Sequence, residues 1–520
     1  MNKSPNLIAR LREWIRPTRS DTIISTIGEG AHDIDIVVGK NIRVVKIGTL
    51  VVPAVPVFIG VVILLALIAI GAYLYFVPAQ MPTDTFNIAV AQFGVMNADK
   101  QIVITADSQS FSARIYNALG IDLADLSKAQ ANLPKTVVWN DILFPTQMRS
   151  PIGLIPGATA EERRQAASKR ATDLNAAILI YGNVDATTLP PNFIPEFHVA
   201  PLKNEADEIV GQYQFGAPIP VQQSSLPGET WAQTLADDKT LRARRQALAL
   251  VTFGLLKDFR GEHEDALSHF QNALAILRTT KNQAGEEVLD YFIGREYLFM
   301  ANLADANADS LNAPAAAAQV ELNLAQAEAA FNAAKKWNAA YARADYGLGG
   351  VYRLRVARQN AADRITHPDN LNRALTYYQM ALNEAIQARE SQTEIKVRGA
   401  IASTLFYQGE GYLHQGDYAR ASELFDQTIQ RASEPLAQIE QDQQARTMAE
   451  AYLTLGNATF EKGIAQAQNP PTAKTLYDQA NAWYAKCIGL IKFDPTVVQG
   501  AVARCQSAQA LVNEWKNKLP

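Results

Sequence analysis

Five times after residue 250 the chain repeats a small-x3-aromatic-x2-small pattern, and no other feature constrains its fold so strongly. The copies read Ala266-Phe270-Ala273, Ala327-Phe331-Ala334, Ala374-Tyr378-Ala381, Ala421-Phe425-Thr428 and Ala480-Tyr484-Cys487. Small residues at i and i+7 with an aromatic at i+4 share one helical face. A neighbouring helix can approach closely there while the ring fills the gap. Upstream of each copy a glycine stands on another apolar stripe: Gly254, Gly294, Gly349, Gly409 and Gly456. A unit repeated on this scale implies stacked helix pairs, none of which buries its own face alone. Such arrays bind other molecules and seldom carry out chemistry.

The fourth copy sets Leu405, Gly409, Tyr412, Gly416, Tyr418, Ala421 and Phe425 at the spacings of the tetratricopeptide repeat, with Gly416-Asp417 as the turn between helices. The region 241–520 therefore resembles that family, and Tyr297 and Tyr352 match Tyr412 in other copies. The resemblance implies an α-solenoid in which each glycine lies where the second helix of its own unit crosses. Its groove would be lined by first-helix residues and would take a protein or peptide partner. Register transfer nominates Arg295, Leu298, Arg343, Tyr346, Arg353, Phe406, Glu410, His414, Asn457 and Glu461 for that lining. Arginines beside a tyrosine suit a carboxylate clamp or ring stacking.

Departures from the family are visible. A standard unit has about 34 residues, whereas these signatures recur 47 to 61 residues apart. The added residues, LADANADSLNAPAAAAQ in the second copy and VARQNAADRITHPDN in the third, must lengthen helices or turns. A polar-faced last helix near 495–516 suits a cap. Cys487 and Cys505, the only two cysteines, fall at small-residue slots of adjacent helices. Two packed thiols and a disulfide in an oxidising exterior both remain open, since spacing alone fixes no geometry.

No Lys, Arg, Asp or Glu occurs between Lys46 and Asp84. Within that gap Val57–Val77 is long enough to cross hydrocarbon, which needs about 20 residues, and prolines bound it on both sides. Tyr73, Tyr75 and Phe76 cluster at its far end, at headgroup depth. Eight Lys or Arg residues precede the span, from Lys3 to Lys46, and the first after it is Lys100. That asymmetry predicts a single-pass membrane protein with a cytoplasmic N-terminus and residues 84–520 outside the cytoplasm. Segment 1–48 begins with a basic stretch suited to an amphipathic surface helix or a solvated arm. It then alternates Ile34, Ile36 and Val38 before a Gly39-Lys40-Asn41 turn, as in a hairpin or one β-solenoid-like rung.

Region 84–203 alternates strands (Phe86–Phe93, Thr136–Ile142, Ala177–Val184, Phe193–Val199) with helices (Ser110–Leu126, Ala160–Asn175), which predicts a small α/β domain. The order of FNIAVAQF, a helix, and ILIYGNV after a second helix resembles the N-terminal α/β domain of TolB-like periplasmic proteins. That resemblance implies a docking module. Residues 204–240, with Gly216, Pro218, Pro220 and Pro227-Gly228, read as a linker with room for one more strand.

The 520-residue chain has a net charge of −4, which offers no general affinity for nucleic acid. Its six histidines are scattered, and His263 and His269 do not share a helical face. No HExxH, phosphate loop or nucleophile elbow is present. YGLGG (346–350) follows no strand and reads as helix packing. Glu286 and Glu287 read as an exposed helix start favoured by the helix dipole. The expectation is a mostly α protein without enzyme activity, metal or cofactor: one transmembrane helix (54–78), a small α/β domain and a repeat solenoid forming an interaction scaffold. The alternative is a receptor whose α/β domain binds a ligand or peptide.

Overall fold

In the computed structural model, the backbone of 34–38, 43–47 and 50–53 is described, and so are residues 80–519 except 84, 129–135, 141–151, 202–208, 215, 223–229, 280–284, 307–312, 443 and 494. Residues 1–78 and 79–520 form separate units. In the first, β1 (Ile34–Val38) and β2 (Arg43–Ile47) make the expected hairpin, with Ile34 opposite Ile47 and Val38 opposite Arg43. A third strand, β3 (Leu50–Pro53), extends it antiparallel to β2. The apolar span Val57–Val77 lies outside the described residues. Among the described residues no helix is long and apolar enough to cross a membrane.

The second unit opens with β4 (Phe86–Val90), β5 (Gly94–Met96), β6 (Ile102–Val103), α1 (Ala106–Lys128), β7 (Thr136–Asn140), α2 (Ala160–Leu174), β8 (Ile178–Asp185), β9 (Asn192–Val199), β10 (Gly211–Gln214) and β11 (Ile219–Pro220). The sheet runs β10-β9-β8-β4-β7; β11 pairs with β9, and β5 pairs with both β6 and β8. β4 is parallel to both neighbours and all five of its residues are buried, as a strand covered on both faces must be. The pleat divides it. Ile88, Val90, Ile178 and Ile180 pack with Phe111, Ile115 and Leu119 of α1. Ala89, Ala91, Leu179 and Tyr181 pack with Ala167, Ala171 and Leu174 of α2. Thr159 and Glu162 close a reciprocal capping box at the start of α2, and Asn175 ends it in the left-handed region.

The stretch 204–240, expected as a linker, carries β10, β11 and a short helix, α3 (Trp231–Ala236). Trp231 lies 5.8 Å from Phe111 of α1. Gly216 and Pro218 lie between the short strands β10 and β11, and Pro220 ends β11.

Among the described residues five helix pairs follow, each packed within itself: α4 (Lys239–Asp258) on α5 (His263–Arg278), α6 (Glu286–Ala306) on α7 (Ala313–Trp337), and α8 (Ala342–Arg358) on α10 (Asp369–Ala388). The last two are α11 (Ser391–His414) on α12 (Tyr418–Ser433) and α14 (Ala445–Ala465) on α15 (Pro470–Gly489). Successive pairs also pack on each other. Short helices α9 (Asp363–Thr366) and α13 (Leu436–Gln441) lie between the long ones, and α16 (Pro495–Lys518) covers α14 and α15.

The surplus length of the repeats is thereby explained. In the second copy it lengthens α6 and α7 to 21 and 25 residues. In the third it contributes α9, which packs on α11.

The glycine positions behave as the repeat pattern requires. A Cβ at Gly254 would lie 2.4 Å from the ring of Phe270, and the ring of Phe331 would be 2.7 Å from one at Gly294. Tyr378, Phe425 and Tyr484 stand at 2.5, 2.6 and 2.5 Å from the equivalent points on Gly349, Gly409 and Gly456. YGLGG is packing, as expected: Gly347 meets Phe331, Gly349 meets Tyr378 and Gly350 meets Leu298. Cys487 and Cys505, whose bonding the sequence leaves open, are joined in a disulfide between α15 and α16. Their Cα atoms stand 6.4 Å apart, within bridging range.

Candidate functional site

The first helices of successive pairs present one stripe each to a common cavity of about 340 Å³. Tyr346 and Arg353, seven residues apart on α8, share a helical face. Lys396, Gly399, Ala400 and Ser403 form the corresponding stripe on α11, and Arg446, Glu450, Ala451 and Thr454 that on α14. Phe299 of α6 closes one end. The small residues on α11 and α14 leave the room, and the cations face into it. Tyr346 also lies 5.9 Å from the ring of Tyr378, whose hydroxyl shares a hydrogen bond with Arg353. Among the described residues no carboxylate pairs with Arg353 or Lys396. Glu450 at the rim is engaged by Arg504. The arrangement can accept an anionic side chain carried on an extended backbone.

Of the nominated residues, Tyr346 and Arg353 line this cavity and the rest do not. Arg295 is 6% exposed, and its Nη1 donates to Asp258 Oδ2 at 2.6 Å. Arg343 is 3% exposed; its guanidinium lies 4.3 Å from the Tyr213 ring centroid, and it donates to Glu390 and to the Val210 carbonyl. It thus fastens β10 to α8 and clamps no ligand in the groove. Leu298 packs beneath Gly350. Phe406 packs on Phe425 at 5.7 Å. Glu410 is held by Arg364 of α9 at 2.6 Å, so the inserted helix covers it. His414 is exposed at the end of α11. Asn457 accepts from the Tyr484 hydroxyl at 2.7 Å. Burial, then the charge of Glu410, pushes the Glu461 carboxyl up to about 7. Glu286, expected to be exposed, is 1% exposed and bound by Arg278 at 2.9 Å.

Lys396 and Arg446 escape motif transfer because both precede the stretch of α11 or α14 that carries the repeat signature. Lys396 enters the cavity because α11 runs for 24 residues, and Arg446 enters it from the first turn of α14.

A second crevice, of about 600 Å³, lies where β9, β10 and α2 meet α8 and the α10–α11 turn. Glu196 is held bidentately by Arg163 at 2.7 and 2.9 Å and by Gln212 at 2.6 Å. Beside it His198 is 2% exposed, and neither ring nitrogen has a hydrogen-bond partner. Burial, then Arg164 and Arg343, pushes His198 down to about 4, so its ring is neutral near pH 7.

No family model and no curated protein matches the sequence. Among solved structures, BtubC (BKLC) from P. vanneervenii is similar at a TM-score of 0.30 and 16% identity, over 49% of this chain and 85% of that one. A signal transduction ATPase with numerous domains that carries a tetratricopeptide repeat sensor, from Pyrococcus horikoshii, is similar at 0.23 and 14% identity, over 53% of this chain and 44% of that one. Scores this low carry no functional inference. The fold itself defines a mostly helical protein with a small α/β region and a helical-repeat C-terminal region.

Proposed function

We propose that this chain is a membrane-anchored interaction scaffold of the tetratricopeptide type whose repeats bind an extended, acidic polypeptide segment. One observation carries the reading: the Arg353 guanidinium borders a cavity shared with Lys396 and Arg446 and pairs with no carboxylate among the described residues. An arginine so placed recognises carboxylates through paired donors. The uncharged span from Ile47 to Thr83 and the basic residues before it support a single-pass anchor with the repeats outside the cytoplasm. The Cys487–Cys505 disulfide supports an oxidising compartment for the same half.

The test is fluorescence anisotropy of a labelled glutamate-rich peptide added to residues 79–520. Arg353→Ala should weaken binding by about 10- to 100-fold, the loss expected for a charge-assisted pair of about 1.5–3 kcal/mol. Arg358→Ala, which removes a cation paired with Asp305 elsewhere, should leave binding unchanged. Equal binding by wild type and Arg353→Ala, or equal capture of a lysine-rich peptide, would refute the reading.

The neutral, unpartnered imidazole of His198 in the 600 Å³ crevice favours a second reading, a receptor for a small ligand. A molecule held there would raise the melting temperature of residues 79–520.

A further inference from the structure

We propose that Asp258, His263 and Glu296 bind a divalent transition-metal ion between the first two helix pairs. Asp258 is the last residue of α4, His263 the first of α5, and Glu296 lies within α6. Their donor atoms converge: His263 Nδ1 stands 2.7 Å from Glu296 Oε2 and 3.7 Å from Asp258 Oδ1. All three lie within 4.8 Å of one another. Tetrahedral donors with bonds of about 2.0–2.1 Å stand about 3.3 Å apart, so small side-chain rotations suffice to close a site.

The other two carboxylate oxygens are already tied. Arg295 Nη1 is 2.6 Å from Asp258 Oδ2 and 3.5 Å from Glu296 Oε1. Arginine thus holds the outer oxygens and leaves one oxygen of each carboxylate facing the imidazole, the arrangement by which outer-shell partners orient metal ligands. The Phe299 ring stacks on His263 at 4.9 Å and lies 4.4 Å from the Arg295 guanidinium, so one aromatic steadies both.

Charge provides a second, independent argument. Glu296 and Asp258 are buried, and Arg295 neutralises only one of them. The nearby Lys257 is taken by Glu262 and Asp265, at 2.5 and 2.8 Å. Two buried carboxylates set against one guanidinium favour a further positive charge in a low-dielectric setting, which a bound cation supplies. His263 borders a cavity of about 600 Å³, which offers an entry path and space for a water ligand. One imidazole and two carboxylates suit Zn²⁺, Co²⁺ or Mn²⁺ and not a soft thiophilic ion.

The experiment titrates chelator-treated residues 79–520 with Co²⁺, read by visible d–d absorption, and then displaces it with Zn²⁺ in a calorimeter. One equivalent should bind. His263→Gln and Glu296→Gln should each abolish the absorption band, and His367→Gln, an exposed histidine elsewhere, should keep it. Circular dichroism reports folding of each variant. His263→Gln retains a hydrogen-bonding group opposite Glu296, so it decides the outcome if Glu296→Gln does not fold. Absence of stoichiometric binding by the wild type, or unchanged binding by a folded His263→Gln, would overturn the proposal and leave the cluster as an ion-pair network neutralised by a proton.

Discussion

Gly409 faces Phe425 across a gap that leaves no room for a methyl group, and the same contact recurs at four other glycines. The ring is itself buried, so a substitution must move a helix or force the ring off its rotamer. Gly409→Ala should therefore destabilise the protein by about 1–3 kcal/mol. Gly500 in α16 has nothing within 4 Å of the equivalent point, and Gly500→Ala should stabilise by up to about 1 kcal/mol through helix propensity. Urea unfolding measures both, and equal midpoints for the two variants would contradict the packing argument. At this scale the sequence was legible, because the small-aromatic-small spacing and the glycine each report a steric contact within one unit. Arg295 and Arg343 were not. A charged residue in a helical register can meet solvent, a ligand or another part of its own chain, and only packing against Asp258 or β10 decides which.

At the scale of elements, the interface of α7, α8 and α10 encloses Lys335, Asp345 and Glu384. Lys335 Nζ binds both oxygens of Asp345, at 2.5 and 2.7 Å. Burial, and then the neighbouring Asp345, pushes the Glu384 carboxyl up to about 7, with Glu390 adding to the same effect and Lys335 opposing it. The folded state then holds a proton that the unfolded chain releases near 4.5, so this group's contribution to stability falls as pH rises from about 4.5 to 7. Glu384→Gln cannot ionise. Its melting temperature should exceed that of the wild type at pH 8 and converge with it at pH 5, and a difference independent of pH would exclude the mechanism. The inserted residues of the third copy illustrate what element-level reading misses. Their surplus length was countable, but α9 covers Glu410 and Gly411 because Ile365 and Arg364 find partners on α11.

Across the whole unit 79–520, one apolar core runs from the strands β4, β8 and β9 through α1 and into α4–α8. Tyr213 of β10 lies 5.5 Å from Phe292 of α6, and Asp122 of α1 binds Arg245 of α4 at 2.7 Å. Cutting at either end of 204–240 would expose this surface. A ligand in the crevice beside His198 should therefore raise the melting temperature of intact residues 79–520, screened with small carboxylates and polyols by differential scanning fluorimetry. Arg343→Met should remove that shift, because the crevice has walls from both regions. No shift across the screen, or one that survives Arg343→Met, would reject the receptor reading.

Local periodicity alone determined that helices would pair, that glycines would seat rings, and that strands would alternate with helices before residue 200, since those patterns depend on neighbours a few positions away. Tertiary structure decided that the α/β sheet and the first repeats would share one core and that α9 would pack over Glu410 and Gly411 of α11. It also brought Asp258, His263 and Glu296 together and made two cysteines one bond. Such contacts join residues whose separation along the chain leaves no periodic trace, and their geometry exists only once the helices have packed.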